Sequence, residues 1–345
     1  MNITSLAYRT PSRRLTNDDL LEHIAAENPK VSRRQRERYL NVVRKLLDKT
    51  GARTRYWRDS AGGEKAGDLV LGAMDDALAK AGLQPKDIDL LIYCGVGKGF
   101  LEPANAYFYA NARGMDTVNC FDVTDACMSW VRALEISYLT LRAGKIRNAM
   151  VVNGEFHVGF HDNWEIRDLD SLMYTFPMYT IGEAATAVVL QGSDDEWSFD
   201  YRSRPRYADL CTIPLPSYTD FIEPTERIGH NGEHKFVSYG YDLFNEASTL
   251  LGELLRDTIA DPAAKSLYFP HAPSKAIYRD KMPRYGVPVD KVYLEVYPEF
   301  GNLVSASLPV GMSHAERAGV LQRGADVALV PASAGIVTSV VQLTY

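Results

Sequence analysis

From Gly67 onward the chain alternates strand-like and helix-like patterns, and it runs through that alternation twice in the same order. The first pass reads as a helix to Ala81 stopped by Gly82, a strand over Ile88 to Cys94, a helix over Ala104 to Arg113, a strand over Val118 to Val123, a helix to Leu141 and a strand over Ala149 to Val152. The second reads as a helix over Tyr241 to Thr258, a strand over Leu267 to Phe269, a helix over Ser274 to Met282, a strand over Val292 to Val296, a helix over Leu303 to Val320, and strands over Val327 to Val330 and Ile336 to Leu343. Such alternation implies βαβ units around a mostly parallel sheet, and its recurrence implies an internal duplication. The expected division is an N-terminal half, residues 1–192, and a C-terminal half, residues 193–345. The first half carries a helical insert at about 16–60 and an irregular aromatic loop at about 154–180. Long loops in compact domains often serve function.

The chain has 345 residues, enough to bury a large core. A net charge of −6 gives no basic footprint for nucleic acid. Four cysteines at irregular spacing, without a CxxC pair, suit a reduced intracellular protein rather than a disulfide scaffold or zinc site. The N-terminal residues Met1 to Tyr8 are too few and too polar for a signal peptide, and no apolar run reaches membrane-spanning length, so a cytoplasmic location is expected. The run Arg33-Arg34-Gln35-Arg36-Glu37-Arg38 reads as a solvated helix face.

Cys127 sits where the strand ending at Val123 meets the next helical pattern. A thiol in the first turn of a helix faces unpaired N–H groups and the positive end of the dipole, which favours the thiolate. His157 and His161 are four apart with Glu165 nearby, but they lie in the irregular loop rather than on a helix, so no metal site is expected. Gly95-Val96-Gly97-Lys98-Gly99 lacks the spacing of a dinucleotide loop.

Three further signatures resemble one known family when taken together. Asp125-Ala126-Cys127, Pro270-His271-Ala272 and Gly301-Asn302-Leu303-Val304-Ser305-Ala306-Ser307 are similar, in order and spacing, to the Cys, His and Asn segments of the thiolase-fold β-ketoacyl-[acyl-carrier-protein] synthase III family. Thr50-Gly51-Ala52-Arg53-Thr54-Arg55, Ile181-Gly182-Glu183-Ala184-Ala185 and Ala332-Ser333-Ala334-Gly335 resemble other segments of the same family. The resemblance implies a thiolase-like α/β fold, two βαβαβαβ halves packed as a five-layered αβαβα core, and a homodimer.

It also implies an acyltransferase. Cys127 would carry an acyl group as a thioester. His271 and Asn302 would donate to the enolate oxygen of a second thioester in a Claisen condensation, and the backbone N–H groups of Cys127 and Gly335 would form the other oxyanion hole. Donors would be carried on coenzyme A or an acyl carrier protein, with no bound cofactor and no metal. Arg53 and Arg55 are the expected phosphate contacts. Met128 and Trp130, larger than the family's usual residues after the cysteine, together with Phe156, Trp164 and Phe176, are the expected substrate-binding residues. Glu102 stands 25 residues before Cys127, where the family has an apolar residue that reaches into its partner's pocket. In related head-to-head condensing enzymes a glutamate on this segment enters the neighbouring site as a base, so Glu102 is a candidate base acting across the dimer. Decarboxylation of a malonyl-type extender is the expected route, within fatty-acid-like, polyketide or other specialised metabolism. The alternatives are non-decarboxylative condensation using Glu102, acyl transfer to an alcohol or amine, and a non-enzymatic acyl-binding partner subunit.

Overall fold

The computed structural model describes all 345 residues. Its first sheet contains β1 (Asn2–Arg9), β2 (Leu90–Cys94), β3 (Asn119–Val123), β4 (Asn148–Glu155) and β5 (Ala184–Gln191), in the order β1-β5-β4-β2-β3. Its second contains β6 (Ser198–Ser203), β7 (Leu267–Phe269), β8 (Asp326–Leu329) and β9 (Val337–Thr344), in the order β6-β9-β8-β7. The order β6-β9-β8-β7 repeats β1-β5-β4-β2, while β3 has no counterpart in the second sheet, where the two-residue strand Ala332–Ser333 pairs with β9 instead. β2 and β4 are parallel, as are β7 and β8, while β5 and β9 each run antiparallel to both neighbours.

The sheets are therefore mixed rather than mostly parallel. The chain leaves the end of β4 through a long loop and re-enters at the same end as β5, and without a crossover the strand must run antiparallel. The expected strand over Val292 to Val296 is also corrected. It shrinks to a single parallel bridge between Val292 and Tyr268, and a one-turn helix, Val296–Phe300, begins where the strand was to end. Pro298 fits in that first turn, where an N–H would have no intrahelical partner.

Within the N-terminal insert, α1 (Asn17–Ala26) starts from a Thr16/Asp19 capping box, and α2 (Arg33–Thr50) runs from the Ser32 cap to a left-handed Gly51. Leu20, Val43 and Leu47 pack there with Trp57, Ile166, Leu172 and Met178, which seats the insert on the aromatic loop. Helices α3 (Ala66–Ala81) and α4 (Asn105–Ala112) cover one face of the first sheet, with Val70, Met74 and Ala106 against Leu91, Tyr93 and Val152. Alternate residues Leu90, Ile92 and Cys94 face the other way, onto α5 (Ser129–Arg142). The outer face of the second sheet carries α6 (Gly240–Thr258) and α7 (Lys275–Lys281). On its inner face, α8 (Ser307–Arg317) joins α5 in one apolar cluster that contains Val151, Val188, Val327, Leu329 and Val341 from both sheets. The result is five layers, αβαβα, with α5 and α8 in the middle. No helix is long and apolar enough to cross a membrane.

Candidate active site

Cys127 lies in the turn between β3 and α5, two residues before the helix begins at Ser129 rather than in its first turn. Ala126 has φ +43°, a left-handed value that L-residues adopt at a cost. The Ser129 side chain holds the turn: the Asp125 N–H donates to its Oγ at 2.7 Å, and the Oγ–H donates to the Ala126 carbonyl at 2.7 Å. The N–H groups of Met128 and Ser129 fold back onto the carbonyls of Asp125 and Ala126, while that of Cys127 makes no backbone hydrogen bond.

Burial pushes the Cys127 thiol well above the ordinary cysteine range, with smaller contributions in the same direction from Cys211 and Glu155. The Ser333 hydroxyl, which has no other partner, works in the opposite sense. The expectation of a dipole-favoured thiolate is thus corrected: the resting group is a thiol, because removal from water outweighs the helix end.

His271 follows β7 and is buried. Desolvation takes its imidazole down to about 4, so it is neutral at physiological pH. Its Nδ1 lies 3.1 Å from Ser307 Oγ. A hydroxyl donating there leaves the hydrogen on Nε2, the other ring nitrogen. Asn302 is placed by Gly301, whose φ is +75° and where a Cβ would stand 2.4 Å from the Thr180 carbonyl. The Asn302 Oδ1 accepts from the Val304 N–H at 3.0 Å, so its Nδ2 hydrogens are free to donate elsewhere.

Cys127, His271 and Asn302 open on one cavity of about 780 Å3, in which 29 of 47 lining residues are hydrophobic. That is a size and character suited to an acyl chain. Trp164 and Phe176 line it as expected, with Met178, Leu172, Leu243 and Phe244. Several other expected contacts do not. Met128 and Trp130 belong to the apolar cluster shared by the two sheets, beneath the turn, because helical spacing from Cys127 turns them inward. Phe156 packs in the cluster under α3 and α4. Arg55 is wholly buried and donates to Thr16 O and Asn17 Oδ1, which makes it a structural tie rather than a phosphate contact. Arg53 is exposed but is not among the lining residues, and neither is Gly335, although Ser333 and Ala334 are. Glu102 is exposed on the surface, outside the cavity of its own chain.

Sequence reasoning missed four groups at this cavity. Lys49 of α2 and Lys281 of α7 are cations on its wall, masked in the sequence by the charged helical runs around them. Cys211 shares the cavity from an irregular segment with no motif. Glu155 is fully buried behind the wall. A carboxylate closing β4, three residues after the apolar run Ala149–Val152, was its available signal.

Residues 121–204 match the family described as 3-oxoacyl-[acyl-carrier-protein (ACP)] synthase III, and residues 258–345 match the C-terminal part of that family. The chain belongs to the synthase III-like thiolase-fold family. Among its relatives, a β-ketoacyl-[acyl-carrier-protein] synthase III from Rhodospirillum centenum is 26% identical over 94% of this chain and 92% of its own. The enzyme of that name from Symbiobacterium thermophilum is 26% identical over 100% and 98%. In structure, a 3-oxoacyl-[acyl-carrier-protein] synthase III from Aquifex aeolicus superposes with a TM-score of 0.80 at 22% identity, covering 99% of each chain. Xanthomonas campestris OleA, solved with lauric acid and lauroyl-CoA, gives 0.80 at 21% identity over 99% and 98%. At that identity the superpositions establish the shared fold. No group of three or more His, Cys, Asp or Glu side chains is arranged to hold a metal ion.

Proposed function

We propose that this protein loads an acyl group on Cys127 and joins it to a second acyl thioester by decarboxylative Claisen condensation. As a member of its family it is an acyl-transferring enzyme of the ketosynthase type, and no cofactor enters the chemistry. The observation that carries the reading is the convergence of the Cys127 thiol, the Nε2 side of a neutral His271 and the free amide of Asn302 on one apolar cavity.

In the first half-reaction the Cys127 sulfur attacks the donor carbonyl, and the proton it gives up leaves with the carrier thiol. The Cys127 N–H, which bonds no backbone carbonyl, and the Gly335 N–H are the proposed donors to the oxyanion. In the second, a malonyl-type thioester loses carbon dioxide and becomes an enolate. His271 Nε2–H and Asn302 Nδ2–H hold its oxygen; a neutral imidazole suits this task because it donates a hydrogen bond without surrendering the proton. The enolate carbon attacks the acyl carbonyl, and the Cys127 thiolate departs and is reprotonated. Lys49 and Lys281 supply positive charge for an anionic carrier, coenzyme A or the phosphopantetheine of a carrier protein, in place of the Arg53 and Arg55 first expected.

A second reading is favoured by one specific observation. Glu102 sits beside the exposed apolar side chains Phe100, Leu101, Tyr107 and Phe108, close to the open edge strand β3. Exposed patches and free strand edges mark association surfaces, so a homodimer formed there would carry Glu102 toward its partner as a base for condensation without decarboxylation. Acyl transfer to an alcohol or amine has less support, because it leaves the paired donors His271 and Asn302 without an enolate to hold.

Carbon dioxide release and product mass, measured with malonyl and acyl thioesters, separate the routes. The proposal expects one carbon dioxide per product, with turnover falling on the order of 10²-fold or more in Asn302→Ala. Product formed without carbon dioxide and abolished by Glu102→Gln would transfer the assignment to the second reading.

A further inference from the structure

One polar device on the cavity wall has no part in the condensation. Glu155, at the end of β4, accepts hydrogen bonds from the Val96 N–H at 3.2 Å, the Gly97 N–H at 3.3 Å, the Ser305 N–H at 3.2 Å and the Ser305 hydroxyl, and it lies 2.7 Å from His157 Nε2. A carboxylate offers only acceptor positions, so Nε2 is the donor to Glu155. In the neutral ring that leaves the lone pair on Nδ1. His157 is 8% exposed and lines the cavity, and its Nδ1 has no partner in the chain yet is not sealed from the cavity.

The neighbouring His161, whose ring centroid is 6.0 Å away, also lines the cavity; its Nδ1–H donates to the His234 carbonyl at 2.8 Å, which leaves its lone pair on Nε2, but this ring is half-buried and has no carboxylate to orient it. In its neutral form His157 is therefore a buried acceptor, oriented by a second side chain and lining the substrate space. In a mostly hydrophobic wall, an acceptor held this way is left unsatisfied if its water is removed and nothing replaces it, which disfavours binding. A purely alkyl chain would do that. The Glu155 carboxylate that orients the ring is held by the N–H of Val96, which lines the cavity, and by Ser305, three residues after Asn302, which puts the device toward the thioester end of the cavity rather than at its far tip.

We propose that His157, positioned by Glu155, selects the acyl group that Cys127 carries by accepting a hydrogen bond from a hydroxyl on one of its first carbons. The preferred donor is then a 2-hydroxyacyl or 3-hydroxyacyl thioester rather than a saturated one. The inference rests on the acyl-enzyme reading and names its substrate class.

Competition by intact-protein mass tests it. The protein is offered equimolar pairs of coenzyme A thioesters, each hydroxyacyl form against the saturated parent of the same chain length, and the mass added to Cys127 is read at partial loading. We expect at least about tenfold preference for one of the hydroxyacyl forms, the discrimination that one buried hydrogen bond supplies. His157→Leu removes or reverses that preference while still loading the saturated chain, and His157→Gln, which retains an acceptor oxygen, keeps part of it. Equal loading of hydroxyacyl and saturated donors by the wild type overturns the proposal, as does a preference that survives His157→Leu. Absence of any adduct on Cys127, with either donor, is a different result: it removes the acyl-enzyme reading, and this proposal falls with it.

Discussion

Desolvation leaves the Cys127 thiol and the His271 imidazole, which share the cavity, uncharged, since it raises the thiol well above its ordinary range and lowers the imidazole to about 4. The two shifts have one cause and opposite signs because the thiol ionises to a charged form and the imidazole loses charge on deprotonation. Alkylation of Cys127 by iodoacetamide should therefore be slow at pH 7 and climb about tenfold per pH unit, without a plateau below pH 9, since only the thiolate reacts. A plateau reached by pH 8 would show a thiolate poised by the helix end instead. Cys127, His271 and Asn302 were legible in the sequence because each stands in a short segment with a distinctive neighbour: Ala126 in the strained turn, Pro270 after the strand, and Gly301 where no side chain fits. Protonation was not legible, because the dryness of a cavity is made by residues distant in the chain. Arg55 was misjudged for a similar reason. Nothing near it in sequence announces that its guanidinium is buried against Asn17.

The aromatic loop between β4 and β5 forms much of the cavity wall, and it is tied down by a buried ion pair. Glu183, fully buried, accepts from the backbone N–H of Arg58 at 2.8 Å, from Arg58 Nη2 at 3.2 Å and from the Val158 N–H at 3.1 Å. The guanidinium also lies 5.2 Å from the Phe156 ring and 5.5 Å from that of Phe160. Arg58→Met leaves the carboxylate buried without its cation, and a loss of about 3–5 kcal/mol is expected from denaturant unfolding. A change below about 1 kcal/mol would mean that the two backbone N–H groups suffice. The sequence marks this segment as long and aromatic, which located the wall. It could not tell lining residues from packing ones: Trp164 and Phe176 face the cavity while Phe156 does not. In irregular backbone there is no period of 2 or 3.6 from which to read a face.

The duplicated architecture was the most legible property of the chain, since each half repeats the same alternation and each burial face has its own periodicity. What the pattern withheld was strand direction. β5 and β9 run antiparallel because the connections before them lack crossover helices, and a loop's path leaves no signal in hydropathy. The duplication also has a functional consequence: the middle layer brings the N-terminal end of α5, with Cys127, into the same cavity as His271 and Asn302 from the second half, which no single half could assemble. The measurement that bears most directly on this account is intact-protein mass after incubation with a panel of acyl-coenzyme A and acyl-carrier thioesters, with Cys127→Ala as the control. The account predicts a gain equal to one acyl group that is absent from the variant. A gain of the same size in Cys127→Ala, or none with any donor, would contradict it.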